Sequence, residues 1–231
     1  MHLFIVDLFI SLDTISPLVS GLNKKGEKTK ICFVNPLQNF SNHKLIEYLN
    51  KSKLNNNHGI LCLGIYNKIY FFLLKLIMNF PLIILKKLNR LWTIIYQKKI
   101  FFNENQLTNF LNKNKFKSVT LENSLPKKKK EIIINACNKA GVPIFCIASG
   151  LFTVKKKEKI TINFFEKIDF FLTPNLFAPY NDSILNSKKF LVSGSPRYDD
   201  NWIKQLKEIY NYNYDIKNQK LKIAYFIRSS S

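Results

Sequence analysis

The chain has 231 residues and a formal net charge of +21, with 36 Lys and Arg against 15 Asp and Glu. This excess predicts an anionic partner, such as a phosphate-bearing substrate, an acidic membrane surface or nucleic acid. Arg occurs only at positions 90, 197 and 228, and zinc-finger spacings and RNP-like aromatic motifs are absent, which argues against nucleic acid. The same Lys, Asn, Ile and Phe bias follows from an AT-rich genome, so the charge alone does not identify the partner.

The cysteines and histidines exclude several kinds of site. The four cysteines are Cys32, Cys62, Cys137 and Cys146. They show no CxxC spacing, which predicts buried, reduced thiols in a cytosolic protein. The three histidines are far apart in the sequence, so a zinc site and a Ser-His-Asp mechanism lack their parts. Nucleotide fingerprints of the GxGxxG and P-loop types are also absent from the sequence, and we expect neither a metal nor a cofactor.

The amino-terminal segment predicts a βαβα order. Leu3 to Ile10 is apolar enough for a first buried strand, and it contains Asp7 without a preceding basic segment, which argues against a signal peptide. Polar side chains at 11–14 could cap a helix that runs to about Leu22, and Asn23 and Gly26 are predicted to end it. A second strand follows at 31–34 and a short helix at 42–50. Asp13, just beyond the first strand, is a candidate substrate-binding residue.

The middle of the chain, about 66–112, is predicted to be an apolar helical insertion. From Tyr66 to Ile100 the pattern is apolar and helical, with Pro81 expected to break it into two helices. A membrane span needs about 20 mostly apolar residues, whereas this segment is interrupted by Lys75 and Asn79. Two alternatives remain open, a helix buried in the domain and a basic amphipathic helix on an anionic bilayer.

A helix at 105–112 and a strand at 118–121 follow the insertion. Glu122 ends this strand and is a carboxylate at the predicted cleft, so it is the candidate catalytic base, with a surface group or helix cap as the alternative. Pro126 then suits the first turn of a helix that ends at Gly141.

The carboxyl-terminal half repeats one unit of apolar strand, small-residue break and helix. The strands are predicted at 142–147, 168–172 and 190–192. Fully apolar strands that alternate with helices indicate an α/β protein, with a Rossmann-like parallel sheet and helices on both faces. Ligands bind at the carboxyl ends of such strands, so the breaks are the expected sites.

Several residues at these breaks are candidates for substrate binding. Besides Asp13, they are Ser149, Gly150, Gly194, Ser195 and Arg197. Gly150 allows close approach of a ligand to the backbone, and Ser195 can cap a helix whose first residue is Pro196. Free backbone N–H groups together with Arg197 would form an anion site. The alternative is an ordinary βα turn in which Arg197 pairs with a carboxylate at 199 or 200.

The end of the sequence predicts a second unit. A helix at 199–210 is followed by a polar tract and a strand-like run at 221–227. We therefore divide the chain into a Rossmann-like domain at 1–204, a linker at 205–220 and, at 221–231, the first strand of a truncated second domain.

Three segments carry a resemblance to a known family. They are Ala140-Gly141-Val142-Pro143-Ile144 to Ser149-Gly150, Ile168-Asp169-Phe170-Phe171-Leu172-Thr173, and Val192-Ser193-Gly194-Ser195-Pro196-Arg197-Tyr198-Asp199. In this order they resemble the amino-terminal domain of GT-B glycosyltransferases of surface and capsular polysaccharide biosynthesis, with CDP-glycerol glycerophosphotransferases and UDP-N-acetylglucosamine 2-epimerases as neighbours. Many of these enzymes carry His-Gly where this chain has Ser149-Gly150, which puts any role of that His in doubt here.

The resemblance implies that this chain is the acceptor-side half of a transferase. A sugar or glycerol-phosphate unit would pass from a nucleotide-activated donor, held by the second domain, to a glycan or lipid-linked acceptor. The expected location is the cytoplasm, with peripheral attachment to the anionic cytoplasmic face of the inner membrane. The alternatives are an enzyme like the UDP-sugar 2-epimerases and a non-catalytic, membrane-associated glycan-binding protein.

Overall fold

The computed structural model describes residues 1–7, 9–34, 43–51, 59–60, 103–123, 125–148, 167–173 and 190–210. The strands in these residues are β1 (His2–Val6), β2 (Thr29–Phe33), β3 (Gly59–Ile60), β4 (Ser118–Glu122), β5 (Ile144–Ile147), β6 (Phe170–Thr173) and β7 (Phe190–Val192). The helices are α1 (Phe9–Lys24), α2 (Lys44–Lys51), α3 (Glu104–Asn114), α4 (Lys127–Ala140) and α5 (Asp200–Tyr210). A 3₁₀ turn, Pro196–Tyr198, precedes α5.

The strands form one sheet in the order β3-β2-β1-β4-β5-β6-β7. Every neighbouring pair is parallel, including β1 with β4, where His2 lies beside Ser118 and Ile5 beside Leu121. The predicted α/β class and Rossmann-like parallel sheet are therefore confirmed. The three repeated strands of the carboxyl-terminal half are β5, β6 and β7, which follow one another across the sheet.

Both faces of the sheet are covered at β1, which explains why this strand is apolar from Leu3 to Val6. Along β1, Leu3 and Ile5 face a core formed with α3 and α4, whereas Phe4 and Val6 face a second core formed with α1, α2 and α5. Successive side chains of a strand point to opposite faces, so a strand between two helical layers has no polar side.

The start of α1 differs from the prediction. The first strand ends at Val6 and not at Ile10, and α1 already begins at Phe9. Ser11 and Thr14 are therefore buried inside the helix and do not cap it. An apolar run of this length is compatible with a strand or with a buried helix, and the cover that α1 gives to β1 and β2 decides the outcome.

Two helix ends follow the predicted glycine signals. Gly26 and Gly141 both have positive φ angles, 79° and 64°, in the left-handed region that glycine adopts without strain. At the end of α1, the Glu27 N–H donates to the Leu22 carbonyl, and at the end of α4 the Val142 N–H donates to the Cys137 carbonyl. Both helices thus end in a Schellman motif, which satisfies their last carbonyl groups.

The turn after β7 is built differently from the prediction. Gly194 has a φ angle of 69°, as a tight turn requires, but Pro196 begins a 3₁₀ turn and not the α-helix. The Ser195 side chain makes no capping hydrogen bond; instead Asp199 Oδ1 accepts from the backbone N–H of Trp202 at 3.0 Å. The helix therefore starts four residues later than the Pro196 signal indicates.

Helix α5 returns across the sheet to the layer of α1 and α2. Trp202 is 2% exposed and meets Tyr48 edge to face, with the ring centroids 6.3 Å apart. Gln205 Oε1 accepts hydrogen bonds from Ser20 of α1 and Tyr48 of α2, at 3.0 and 2.9 Å. Residues 205–210, assigned from the sequence to a linker, continue this helix, and Leu206 packs against the same core.

None of the helices in the described part of the chain is long and apolar enough to cross a membrane. The predicted apolar segment at 66–100 lies outside the described residues, as does Cys62. The other three cysteines are buried, as predicted, and none of them forms a disulfide with another described residue.

Replacement of Trp202 by Ala tests the packing of α5. The loss of a buried aromatic side chain should lower the free energy of unfolding by about 3 to 5 kcal/mol, measured by urea denaturation. Tyr198→Ala is the matched control, because this ring is 71% exposed and its removal should change stability by less than about 0.5 kcal/mol. Equal effects of the two changes would contradict the packing described.

Alkylation mapping tests the burial of the thiols. Burial raises the pKa of Cys137 and of Cys146 from 9.0 to about 12, so at pH 8 only about one thiol in 10,000 would be ionised. We expect peptides with Cys32, Cys137 and Cys146 to stay unmodified by iodoacetamide in the native protein and to react fully in guanidinium. Rapid labelling of any of them in the native state would contradict their burial.

Candidate functional site

The candidate site lies where the direction of the chain across the sheet reverses. From β1 the chain passes through α1 to β2 on one side, whereas from β4 it passes through α4 to β5 on the other side. The two helices cover opposite faces, so a crevice opens at the carboxyl ends of β1 and β4. Ligands of open α/β sheets bind in this crevice.

An ion pair closes one side of the crevice. Lys129 of α4 donates from Nζ to Oδ1 of Asp7 at 2.8 Å, and each side chain is 12% exposed. Burial lowers the pKa of Lys129, and the bond to Asp7 opposes this shift. The pair joins the end of β1 to the first turn of α4, on the face opposite to α1.

Lys130 has a similar inward position. Its Nζ donates to the carbonyl oxygen and to the side-chain oxygen of Asn123 at 2.8 and 2.9 Å, and burial lowers its pKa. Four lysines at the amino terminus of a helix oppose its dipole. Two of them, Lys127 and Lys128, are exposed to water, and the other two hold the ends of β1 and β4.

Glu122, the predicted catalytic base, lies in the interior at the end of β4. It is 2% exposed, and the hydroxyl of Ser11 donates to its Oε2. Cys146 lies on the neighbouring β5 beside Leu121, and its pKa is raised by burial, lowered by Lys130 and raised by Glu122. The carboxylate is therefore held beneath the first turn of α1, behind Ser11. Its catalytic role stays a prediction.

Arg197 contacts α1 one turn further along. Its Nη2 donates to Thr14 Oγ1 at 2.6 Å, while its Nε is buried and has no hydrogen-bond partner among the described residues. Among the described residues no carboxylate lies within 4.0 Å of this guanidinium, so the alternative in which Arg197 pairs with a carboxylate at 199 or 200 is wrong. Ser11, which binds Glu122, and Thr14, which binds Arg197, are three residues apart in α1. Glu122 and Arg197 are therefore held by adjacent turns of this helix.

Asp13 and Arg197 line one cavity of about 380 Å³ between α1 and α5. Trp202, Lys207 and Tyr210 of α5 form its opposite wall. Asp13 also acts on His43: burial lowers the pKa of this imidazole and the nearby carboxylate raises it, with a net lowering. The cavity thus combines both signs of charge with aromatic surface.

The remaining predicted site residues fall into two groups. Gly194 and Ser195 line a second, larger groove of about 850 Å³ beside Pro17 and Gly21 of α1. Ser149 and Gly150 lie outside the described residues. The structure therefore brings Asp13 and Arg197 together, puts Gly194 and Ser195 at the neighbouring groove, and holds Glu122 below α1.

Sequence reasoning missed several residues that build the site. They are Asp7, Ser11, Thr14, Lys129 and Trp202. The run of lysines at the start of α4 was a usable signal, because charges in that position oppose the helix dipole and need an internal reason. Thr14 gave no local signal, since its partner is 183 residues away.

The described residues contain no group of three His, Cys, Asp or Glu side chains arranged to hold a metal ion. No family model matches the chain, and no curated protein matches it.

A charge change at Lys129 tests the ion pair in the crevice. Lys129→Met would leave Asp7 buried without its cation, and we expect a loss of about 3 kcal/mol in the free energy of unfolding. Lys51→Met is the matched control, because it breaks the exposed pair with Glu47 and should cost less than about 0.5 kcal/mol. A Lys129 variant as stable as the control would show that this pair does not hold the crevice.

Proposed function

We propose that the chain is the acceptor-side part of a GT-B type transferase. The reaction would move a sugar or glycerol-phosphate unit from a nucleotide-activated donor to a surface polysaccharide or a lipid-linked acceptor. The Rossmann-like sheet is compatible with this proposal, but a fold of this kind supports many activities. The reaction class is suggested by the segments around Gly141, Phe170 and Gly194, which resemble the amino-terminal domain of GT-B glycosyltransferases.

One observation of the site carries the proposal. Arg197 and Asp13 line the same cavity, which lies beside the crevice at the carboxyl ends of β1 and β4. The guanidinium of Arg197 has no carboxylate partner among the described residues. A fixed, unpaired guanidinium is suited to a phosphate or carboxylate group. An acceptor with such a group would lie within the region where Rossmann-like sheets bind ligands.

Within this proposal Glu122 is the general base. Glu122 lies behind the Ser11 hydroxyl, which donates to it. A proton from the acceptor would reach Glu122 by transfer through this hydroxyl, or directly after the first turn of α1 has moved. The basic charge of the chain fits phosphate-rich substrates and an anionic leaflet, so we place the enzyme on the cytoplasmic face of the membrane.

A transfer assay with Glu122 variants tests the function. The protein expressed from its complete reading frame is incubated with UDP-N-acetylglucosamine, UDP-glucose, GDP-mannose or CDP-glycerol and a polyprenyl-phosphate-linked sugar. We expect one donor to be consumed only when the acceptor is present. Glu122→Gln should lower kcat at least about 100-fold with donor affinity unchanged, because general base catalysis is worth at least this factor.

The control for this assay is Glu131→Gln, which removes an exposed carboxylate from α4 and should leave kcat unchanged. Failure to consume any donor would contradict the transferase proposal. Conversion of UDP-N-acetylglucosamine to its C2 epimer without an acceptor would favour the epimerase alternative. A fully active Glu122→Gln variant would remove Glu122 from the mechanism.

A further inference from the structure

The cavity between α1 and α5 has two opposite charges that do not pair with each other. Asp13 and Arg197 both line it, yet among the described residues neither is within 4.0 Å of an oppositely charged partner. Their separation leaves room between them for a ligand with two different polar groups.

Within the described part of the chain, the guanidinium of Arg197 is held by one hydrogen bond, from its Nη2 to Thr14. The Thr14 hydroxyl, which is 2% exposed, accepts the bond from Nη2 and orients the planar guanidinium. The Nε–H is buried, and the part of the chain that the structure describes supplies no acceptor for it. A buried donor without a partner is unfavourable, and an oxygen of a bound anion would satisfy it. Because Nε and the Nη groups form a rigid fork, an oxyanion can accept from two donors at once.

The rest of the cavity defines the other part of the ligand. Lys207 brings a second cation, so the charges of Arg197, Lys207 and Asp13 sum to +1 and favour a ligand with net negative charge. Ile203, Leu206 and Tyr210, which are half-buried, provide apolar surface for a short carbon chain. The carboxylate of Asp13 accepts hydrogen bonds only, and hydroxyl groups are donors that fit it.

We infer that this cavity binds a phosphorylated polyol, with its phosphate on Arg197 and its hydroxyl groups on Asp13. The inference rests on the proposed function, since it names the chemical class of the acceptor. Free glycerol phosphate and the head group of phosphatidylglycerol share this chemistry. The two sources differ in whether the ligand is presented by a membrane, and the test below separates them.

Calorimetric titration of the whole protein tests the inference. The probes are sn-glycerol 3-phosphate, inorganic phosphate and glycerol at the same pH and salt concentration. We expect glycerol phosphate to bind at least 10-fold more tightly than inorganic phosphate. Arg197→Gln should weaken both anions at least 10-fold, whereas Asp13→Asn should reduce the preference for glycerol phosphate to less than threefold.

Two control variants carry the same charge changes outside the cavity. Lys204→Gln and Asp200→Asn lie on exposed positions of α5, and both should keep the native affinities. Melting curves report whether each variant is folded. If Arg197→Gln is unfolded, Asp13→Asn still decides, because the Asp13 side chain is exposed and its replacement does not disturb the core.

Vesicles distinguish the two sources of the ligand. The ligand is the lipid head group if the protein co-sediments with phosphatidylcholine vesicles that contain phosphatidylglycerol but not with vesicles of equal charge that contain phosphatidylserine. In that case Arg197→Gln should abolish the co-sedimentation. Titration by glycerol phosphate without vesicle binding would assign the free polyol phosphate.

The inference is wrong if native protein binds inorganic phosphate as tightly as glycerol phosphate, or if folded Arg197→Gln keeps native affinity. Its failure can be told apart from failure of the proposed function. Selective glycerol phosphate binding without any donor consumption would leave the cavity assigned and the transferase proposal contradicted. Donor consumption that does not depend on Arg197 or Asp13 would support the transferase proposal and contradict the assignment of the cavity.

Discussion

The parallel pairing of β1 with β4 is the contact on which the rest of the molecule depends. It joins His2 to Ser118, so chain segments more than a hundred residues apart form the centre of the sheet. The pairing brings the ends of both strands to one edge and places α1 and α4 on opposite faces above it. Asp7 follows the end of β1 and Glu122 ends β4, so this register of the two strands brings both residues to the same crevice. Contacts of such long sequence separation are slow to form, and they become favourable only when both helical layers cover the sheet.

The return of α5 to the other edge of the sheet completes the site. The chain leaves β7 at one edge, and α5 then packs on α1 and α2 through Trp202 and Gln205. This packing carries the preceding 3₁₀ turn over α1, where Arg197 meets Thr14. The position of the guanidinium is thus determined by a buried aromatic side chain and a shared amide, and not by the turn in which Arg197 occurs. A functional residue on a short turn gains its precision from the rigid elements on either side.

The sequence predicted what is local and missed what is distant. Apolar runs ended by small residues indicated the parallel sheet, and Gly26 and Gly141 indicated two helix ends, because strand burial and left-handed turns depend on a few adjacent residues. The end of the first strand and the capping role of Ser195 were wrong, since packing against the sheet decided the first and Asp199 replaced the second. The alternative that paired Arg197 with a carboxylate at 199 or 200 was also wrong, because its partner among the described residues is the buried hydroxyl of Thr14 in α1.

The inferred ligand lies between Arg197 and Asp13, which do not pair with each other. A crystal structure of the protein grown with sn-glycerol 3-phosphate would show this position. We predict the phosphate within hydrogen-bond distance of Arg197 Nε, a polyol hydroxyl on Asp13, and the bond from Arg197 to Thr14 retained. An Arg197 side chain that pairs directly with Asp13 across a closed cavity, with the ligand elsewhere or not bound, would contradict the inference.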